Sequence, residues 1–329
     1  MKIGLLLNSS NRLNSQSEKY KEILLQKQIP FIIIDPNSVS FLNELENCSH
    51  LLFQHTQGDT DMLIYDAIFY IAHNVYHIKC YPNYETFWPY ENKIKEYFLL
   101  KSQNFPVIES HIFWNFDHAV KFLHSASFPL IAKLPRGAGS SNVILLNSVK
   151  EGKRIINQVY NKGVKPHRLK SKSNLASLSN LGIIKYGKSL LRSQLISMGV
   201  ISDKTDHPEW QIQKDAILFQ EYLPDNKFDT RIVVIGNRAF AFRRFVREND
   251  FRASGSGNFD MDPGKIDPRC LGIAFNVTKK LNFNTMAFDF LYDKAKNPLI
   301  SEISYCFVDW IVERCPGYWD ENLNWHGGH

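Results

Sequence analysis

The sequence predicts an α/β protein that has an N-terminal parallel-sheet domain followed by a mixed region of the α+β class. Short apolar runs alternate with helical patterns over residues 1–90, and this alternation is typical of a parallel sheet. From residue 216 onward, the pattern becomes mostly strand. The length of 329 residues agrees with about two domains, or with one large α/β domain that has lobes.

The first part of the chain supplies the parallel sheet. Short apolar runs bounded by polar residues predict buried strands, and apolar residues at helical spacing predict the helices between them. The predicted strands cover residues 3–7, 31–34 and 51–54, and the predicted helices cover residues 17–28 and 61–74.

The next part of the chain has a glycine-bearing loop between two strands. Its predicted elements are a helix at 92–102, a strand at 107–110, a helix at 117–124, a strand at 128–134, the loop at 135–142, a strand at 142–146 and a helix at 148–159. A long polar stretch follows, from about 161 to 213, and we interpret it as an insertion.

The pattern of the part from residue 216 onward predicts strands and one helix. The predicted elements are strands at 216–223, 229–235 and 239–246, a helix at 267–281, and strands at 285–292 and 299–304. Gly236 and Asn237 suit a two-residue turn with positive φ, so the strands around them should form a hairpin.

Cysteine usage and hydropathy indicate the compartment. The five cysteines are odd in number, widely spaced and without a CxxC pair, which favours free thiols in a reducing compartment over disulfides or a zinc site. The apolar run after Met1 is too short for a signal peptide, and no run of 18 apolar residues occurs. We therefore expect a cytoplasmic protein.

Two carboxylates are predicted to face each other in the last hairpin. If Asp293 faces Pro298 across its loop, Asp289 lies opposite Glu302, and Ser304 shares the face of Glu302. Carboxylates opposed in apolar strands repel each other, and a divalent cation such as Mg²⁺ would neutralise them. Two alternatives stay open: one carboxylate pairs with an arginine, or the register slips by one residue.

Cations are distributed around this pair in the sequence. Lys93 begins a helix, Lys133 ends an apolar strand just before the glycine loop, and Arg231 and Arg252 follow further along the chain. Cations, a small-residue loop and a metal-binding carboxylate pair are the components of phosphoryl-transfer chemistry. The glycine loop matches neither a Walker A loop nor a dinucleotide fingerprint.

The order of these features resembles the ATP-grasp superfamily, in particular carboxylate–amine ligases such as the ribosomal-protein glutamate ligases and D-alanine–D-alanine ligases. The resemblance covers about residues 90–307, and residues 1–90 look like the α/β domain that precedes the fold. The motifs that carry it are the lysine helix from Asn92, Phe128–Lys133 with the loop after it, Phe219–Leu223, Asp229–Arg231, Asn249–Arg252, Ala287–Asp289 and Glu302–Ser304. Residues 250–257 and 300–317 also resemble ATP-grasp proteins of bacterial polysaccharide gene clusters.

The resemblance implies the cofactors ATP and Mg²⁺ and a role for each site residue. It assigns nucleotide binding to Lys93, Lys133, Gly137, Gly139, Ser140, Gln220, Glu221, Tyr222, Leu223 and Asp229. It assigns charge stabilisation to Arg231 and Arg252, and metal binding to Asp289, Glu302 and Ser304. The implied reaction activates a carboxylate as an acylphosphate, which an amine then attacks to give an amide, ADP and phosphate.

The chain departs from the family pattern at Ser304, where the family has an asparagine, so one or two Mg²⁺ ions stay open. The alternatives are a kinase on the same fold that acts on a hydroxyl acceptor, and a nucleotide-binding module without turnover. The implied domains are 1–90, an ATP-grasp lobe at 91–222 and a C-terminal lobe at 223–329, with ATP between the two lobes. We interpret the aromatic C-terminal tail as packing.

The basic charge is concentrated in one stretch. Residues 150–193 hold 11 Lys or Arg against one acid and so carry +10, which leaves −4 of the net +6 for the rest of the chain. A solvated surface loop is one interpretation. The other is that residues 162–192 recruit a phosphorylated or nucleotide-linked acceptor, or an anionic membrane surface. A net charge this small gives no reason to expect nucleic acid.

Overall fold

The structure, a computed structural model, describes residues 2–54, 56, 58–137, 142–165, 212–247, 252–253 and 257–328. The chain divides into two compact units. Unit 1 combines Met1–Ser110 with Leu223–His329, and unit 2 is His111–Tyr222. The predicted three-part division of the chain stays a prediction. No helix in the part that the structure describes is long and apolar enough to cross a bilayer.

The first half of unit 1 is built on a four-stranded parallel sheet with the order β2-β1-β3-β4. Its elements are β1 (Ile3–Leu6), α1 (Ser15–Gln26), β2 (Phe31–Ile34), α2 (Phe41–Glu46), β3 (His50–Leu52), α3 (Asp59–Tyr70), β4 (Lys79–Tyr81), α4 (Tyr84–Phe87) and α5 (Lys93–Ser102). The predicted parallel sheet is therefore confirmed, although β4 was not predicted. Asn92 begins α5, since its side-chain oxygen accepts from the N–H groups of Ile94 and Lys95 at 3.2 and 3.1 Å.

Unit 2 is built on a sheet with the order β5-β8-β6-β7, packed against two helices. Its elements are β5 (Ser110–Phe113), α6 (Phe116–Ser125), β6 (Leu130–Lys133), β7 (Val143–Leu146), α7 (Val149–Asn157) and β8 (Ile217–Glu221). The strand predicted at 107–110 was wrong in position, because β5 begins only at Ser110. Val107 instead forms a single parallel bridge to Ile300 within unit 1.

The second half of unit 1 forms a seven-stranded sheet with the order β13-β12-β9-β10-β14-β15, in which β11 pairs with β10. Its elements are β9 (Phe228–Ile235), β10 (Arg238–Phe245), β11 (Phe259–Asp260), α8 (Pro268–Lys280), β12 (Thr285–Tyr292), β13 (Pro298–Ser304), α9 (Asp309–Val312), β14 (Gly317–Trp319) and β15 (Trp325–Gly327). The predicted turn between β9 and β10 is confirmed, since Ile235 pairs with Arg238 and Gly236 has a φ of 59°.

The two faces of this sheet have different chemistry because side chains alternate along each strand. Ile232 and Phe288 are fully buried and share one core cluster with Leu271 of α8. The neighbouring positions, Val233 and Ala287, belong to a separate cluster under α9. The polar residues of the same parity therefore lie on the α9 side of the sheet, and these are the predicted site residues of β9, β12 and β13.

Candidate functional site

The predicted pairing of Asp289 with Glu302 is confirmed. The ladder between β12 and β13 places Asp289 directly opposite Glu302, and Ala287 directly opposite Ser304. All four side chains therefore lie on the same face of the sheet. Asp289 is 6% exposed, whereas the side chain of Glu302 is 40% exposed, so only Glu302 is readily accessible to a ligand.

The loop that led to this pairing was nevertheless predicted wrongly. Tyr292, not Asp293, lies opposite Pro298, and the register shifts by one between Asp289 and Phe290. The shift is a bulge, and the Ser301 hydroxyl there donates to the backbone oxygen of Asp289 at 3.0 Å. The extra residue of the bulge offsets the one-residue error in the predicted loop, so the predicted pairing of the two carboxylates is still correct.

Two arginines hold Asp289. Arg231 donates from Nε and Nη2 to the two oxygens of Asp289 at 2.6 and 2.7 Å, and Arg244 donates to Oδ2 at 2.7 Å. Arg244 also binds both oxygens of Asp229, at 2.7 and 2.6 Å. Burial opposes the charged form, but the two guanidinium groups outweigh it and hold the pKa of Asp289 well below its ordinary value. The alternative of arginine pairing is thus what the structure shows.

A lysine and a second acid from α5 complete the arrangement. Lys93 lies 3.4 Å from Oε1 of Glu302, and Glu96 accepts from the N–H of Ile303 at 3.2 Å. Burial favours the neutral form of Lys93, yet Glu302 and Glu96 raise the pKa of this lysine above its ordinary value. Burial and the Glu302 charge raise the pKa of Glu96 to about 8.

We call this set of residues the ionic cluster. Its members are Lys93, Glu96, Asp229, Arg231, Arg244, Asp289 and Glu302. Burial and the Glu302 charge favour the neutral form of Glu96, and the other three carboxyl groups, Asp229, Asp289 and Glu302, pair with the three cations Lys93, Arg231 and Arg244. The sequence prediction missed two members as site residues. Arg244 had a signal, since its register places it opposite Asp229, and Glu96 had another, since it lies one helical turn after Lys93.

A Mg²⁺ ion at the ionic cluster would have Glu302, Asp289 and Ser304 as candidate oxygen ligands. Oδ2 of Asp289 accepts two hydrogen bonds from the arginines, whereas Oδ1 accepts one from Arg231 and has a second lone pair. With the exposed Glu302 and the Ser304 hydroxyl, this gives the few oxygen ligands that Mg²⁺ usually takes from protein, beside phosphate and water. Across the described ranges, no group of three or more His, Cys, Asp or Glu side chains could hold a metal ion.

In unit 2, Lys133 lies at the end of β6, between Val143 and Leu218 of the neighbouring strands. Its side chain is 8% exposed, which is rare for a lysine. Gly137 follows in the predicted phosphate loop, whereas Gly139 and Ser140 lie outside the described residues. The strand and the start of the loop are therefore where the sequence predicted them.

The predicted adenine-binding residues lie at and after the end of β8. Gln220 is buried and pairs with Ile131 of β6, and Glu221 pairs with Leu130 and is exposed. Tyr222 is the last residue of unit 2.

Two further predicted site residues, Leu223 and Arg252, belong to unit 1. The backbone oxygen of Leu223 accepts from the Asn226 side chain at 3.3 Å. Arg252 lies beyond β10, where its backbone oxygen accepts from the N–H of Arg247 at 3.3 Å. The predicted roles of all these residues stay predictions.

Comparison with known proteins agrees with this architecture. Residues 192–307 match the family model of the RimK-like ATP-grasp domain. A RimK domain protein ATP-grasp from Sphaerobacter thermophilus DSM 20745 is similar in structure, with a TM-score of 0.54 at 12% identity over 95% of each chain. No curated protein sequence matches the chain.

Two further solved structures share the fold. One is the macrocyclase MdnC bound with precursor peptide MdnA from Microcystis aeruginosa MRC, with a TM-score of 0.56 at 10% identity over 94% of each chain. The other is the ATP-grasp ligase PsnB complexed with minimal precursor, with a TM-score of 0.55 at 12% identity over 98% of this chain and 94% of that one. With the match of residues 192–307, these similarities show that the chain has the ATP-grasp fold.

Proposed function

We propose that the chain is an ATP-dependent ligase that joins a carboxylate to an amine, or to another nucleophile, through an acylphosphate. The match of residues 192–307 to the RimK-like ATP-grasp domain supports this proposal at the level of the reaction class. The observation that carries it is the ionic cluster, in which the accessible Glu302 and the buried Asp289 face each other beside Lys93 and Arg231. Fixed charges of both signs on one rigid sheet face are suited to stabilising the charge of a transferring phosphoryl group.

Each residue then has a role in binding or charge stabilisation. Lys93, Lys133 and the loop at Gly137 bind phosphates, and residues 220–223 bind adenine. Asp229 lies toward the ribose. Arg231 and Arg252 stabilise charge on the phosphoryl group and the acylphosphate. Glu302, Asp289 and Ser304 would hold Mg²⁺, which would neutralise phosphate charge. No side chain needs to act as a covalent nucleophile, because positioning and electrostatics suffice.

An ADP-release assay with paired substrates tests the reaction. The panel contains small acids and amines, carboxylates of surface-polysaccharide precursors, and peptides, since two proteins of similar fold were solved with precursors. ADP that forms only when an acid and an amine are both present supports the ligase. ADP that forms with one hydroxylated acceptor supports the kinase alternative. ATP binding without ADP release under any pair supports the module without turnover.

A single substitution separates the metal role of Glu302 from its structural role. Glu302→Gln keeps the shape of the side chain and an oxygen that can accept a hydrogen bond from Lys93, so the variant should fold, but it should lose turnover at saturating Mg²⁺. Glu109→Gln is the matched control, because that glutamate also pairs with a lysine, Lys101, but on the surface. Parent-like turnover of Glu302→Gln would show that the metal assignment is wrong.

The basic stretch adds a second element to the proposal. With eight Lys or Arg and no acid, residues 162–192 would recruit an anionic acceptor or an anionic membrane. Reversing the charges of Lys165, Arg168, Lys170 and Lys172 together should raise the acceptor KM, or weaken binding to anionic liposomes, while the ATP KM holds. If neither changes at low salt, the stretch is a solvated loop.

A further inference from the structure

The two ends of the insertion, which covers about residues 161–213, meet in unit 2. Val164 and Gln213 exchange both backbone hydrogen bonds at 2.9 Å, although 49 residues separate them. Gly163 makes this approach possible: its φ is +72°, and a Cβ there would lie 2.2 Å from Cγ2 of Ile212 and 2.5 Å from Cγ of Lys214. The position of Gln213 is therefore fixed by backbone pairing with Val164.

From this position, the Gln213 side chain binds the backbone at the start of the phosphate loop. Its Oε1 accepts from the N–H of Arg136 at 2.7 Å, and its Nε2 donates to the backbone oxygen of Arg136 at 2.9 Å. The backbone N–H and C=O of Arg136 are thus both bound by one side-chain amide. Glutamine is suited to this because it carries a donor and an acceptor side by side, as a neighbouring strand would.

The end of the same loop is tied to its start. The Asn142 amide donates to the backbone oxygen of Arg136 at 3.2 Å, and the backbone oxygen of Asn142 accepts from the N–H of Leu134 at 3.3 Å. Asn142 is only 3% exposed. We call the contacts of Gln213 and Asn142 with the loop backbone the loop clamp. The clamp fixes both ends of the loop at 135–142, which begins two residues after Lys133.

We propose that Gln213 is a positioning residue for the phosphate loop, through its contact with the backbone of Arg136. This contact increases the affinity for the phosphates of ATP and does not affect adenine binding. The proposal rests on the proposed function, because it takes ATP as the ligand of the loop. A backbone segment that is already ordered loses less conformational freedom when it binds a ligand. Loss of the clamp should therefore weaken only those ligands that reach the loop.

Two substitutions at Gln213 remove the clamp with little change in side-chain size. Gln213→Met lacks both hydrogen bonds, and Gln213→Glu keeps an acceptor but sets a carboxylate against the Arg136 oxygen. The control is Asn157→Ala, which removes an exposed amide that binds the Lys153 backbone oxygen in the same unit. Calorimetry with ATP and with adenosine, and the melting temperature without ligand, are measured for each protein.

We expect both Gln213 variants to bind ATP about tenfold more weakly, which corresponds to about 1.4 kcal/mol. Adenosine affinity and melting temperature should stay at the parent values, and the control should match the parent throughout.

The outcomes separate the inference from the proposed function. If the parent binds neither ATP nor adenosine, the proposed function fails. If the parent binds ATP and the Gln213 variants bind it equally well, the inference is wrong. If ATP and adenosine weaken together, or the melting temperature falls with them, Gln213 supports the whole unit and the inference is again wrong.

Discussion

The ionic cluster of unit 1 and the loop clamp of unit 2 hold candidate site residues with different kinds of bond. The cluster consists of charged side chains that neutralise one another on a rigid sheet. The clamp consists of neutral amides that bind only backbone groups. A buried charge left without its partner is far more costly than a lost neutral hydrogen bond. The cluster should therefore govern stability as well as function, whereas the clamp and its loop should govern function alone.

The largest effect on stability is expected for Arg244, the member of the cluster that binds two carboxylates. Arg244→Met leaves Asp229 and Asp289 buried with one guanidinium fewer, and we expect it to lower the free energy of unfolding by about 3 to 5 kcal/mol. The measurement is urea denaturation of both proteins.

Arg269→Met serves as the control for this substitution, because Arg269 pairs with Asp267 at 2.7 Å but its side chain is 53% exposed. It should cost at most about 1 kcal/mol. If both variants lost the same free energy of unfolding, the comparison would fail, because burial of the charges would then have no influence on stability.

The second effect depends on pH and concerns Glu96. The pKa of its carboxyl is about 8 in the folded chain against 4.5 for an ordinary glutamate. Between these values the folded state binds more protons than the unfolded state, so stability conferred by the bound proton is lost as the pH rises through about 8. Glu96→Gln removes this titration. From pH 5 to pH 9, the free energy of unfolding of the variant should rise by about 1 to 3 kcal/mol relative to that of the parent.

Thermal unfolding across that pH range checks the prediction for Glu96. Glu109→Gln is again the control, because its carboxylate lies at the surface beside Lys101. It should follow the pH profile of the parent. If Glu96→Gln also follows that profile, Glu96 titrates normally and the cluster carries an extra negative charge at neutral pH.

A smaller effect is expected outside the cluster, at Asp260 of β11. Hydrogen bonds from Arg243, from the N–H of Asp262 and from Lys265 lower the pKa of Asp260 to about 2. Its stabilisation is present above the ordinary value of 3.8 and is lost as the pH falls toward about 2. Asp260→Asn should cost about 1 kcal/mol at pH 7 and less at pH 3. A cost that does not depend on pH would exclude this ion pair as its cause.

Much of the fold could be predicted from the sequence, because local patterns determine it. The strands Phe31–Ile34 and Thr285–Tyr292 have the predicted bounds. The opposition of Asp289 and Glu302 was predicted from strand periodicity and an assumed hairpin loop, and it is correct only because a bulge offsets a one-residue error in that loop.

The parts that could not be predicted depend on long-range pairing. A bulge leaves no clear signal in β13, so the shift at Ser301 was missed. The Gln213 side chain meets Arg136 across 77 positions, and only the closed neck of the insertion brings them together. The predicted turn places Arg244 opposite Asp229, but the sequence does not show that Arg244 also reaches Asp289 on β12.

The smallest effect on stability is expected at Lys133, and it is the sharpest test of the comparison. Lys133→Met keeps the length of a buried side chain between Val143 and Leu218, so the melting temperature without ligand should hardly change. ATP affinity should fall by about 10- to 100-fold, because a charged hydrogen bond contributes about 1.5 to 3 kcal/mol. Lys162→Met, at an exposed position of the same unit, should bind ATP like the parent. Calorimetry decides between the two possible roles of this lysine. Equal ATP affinity in parent and Lys133→Met would remove Lys133 from the phosphate site, and a large drop in melting temperature would mean that unit 2 also depends on a buried charge for its stability.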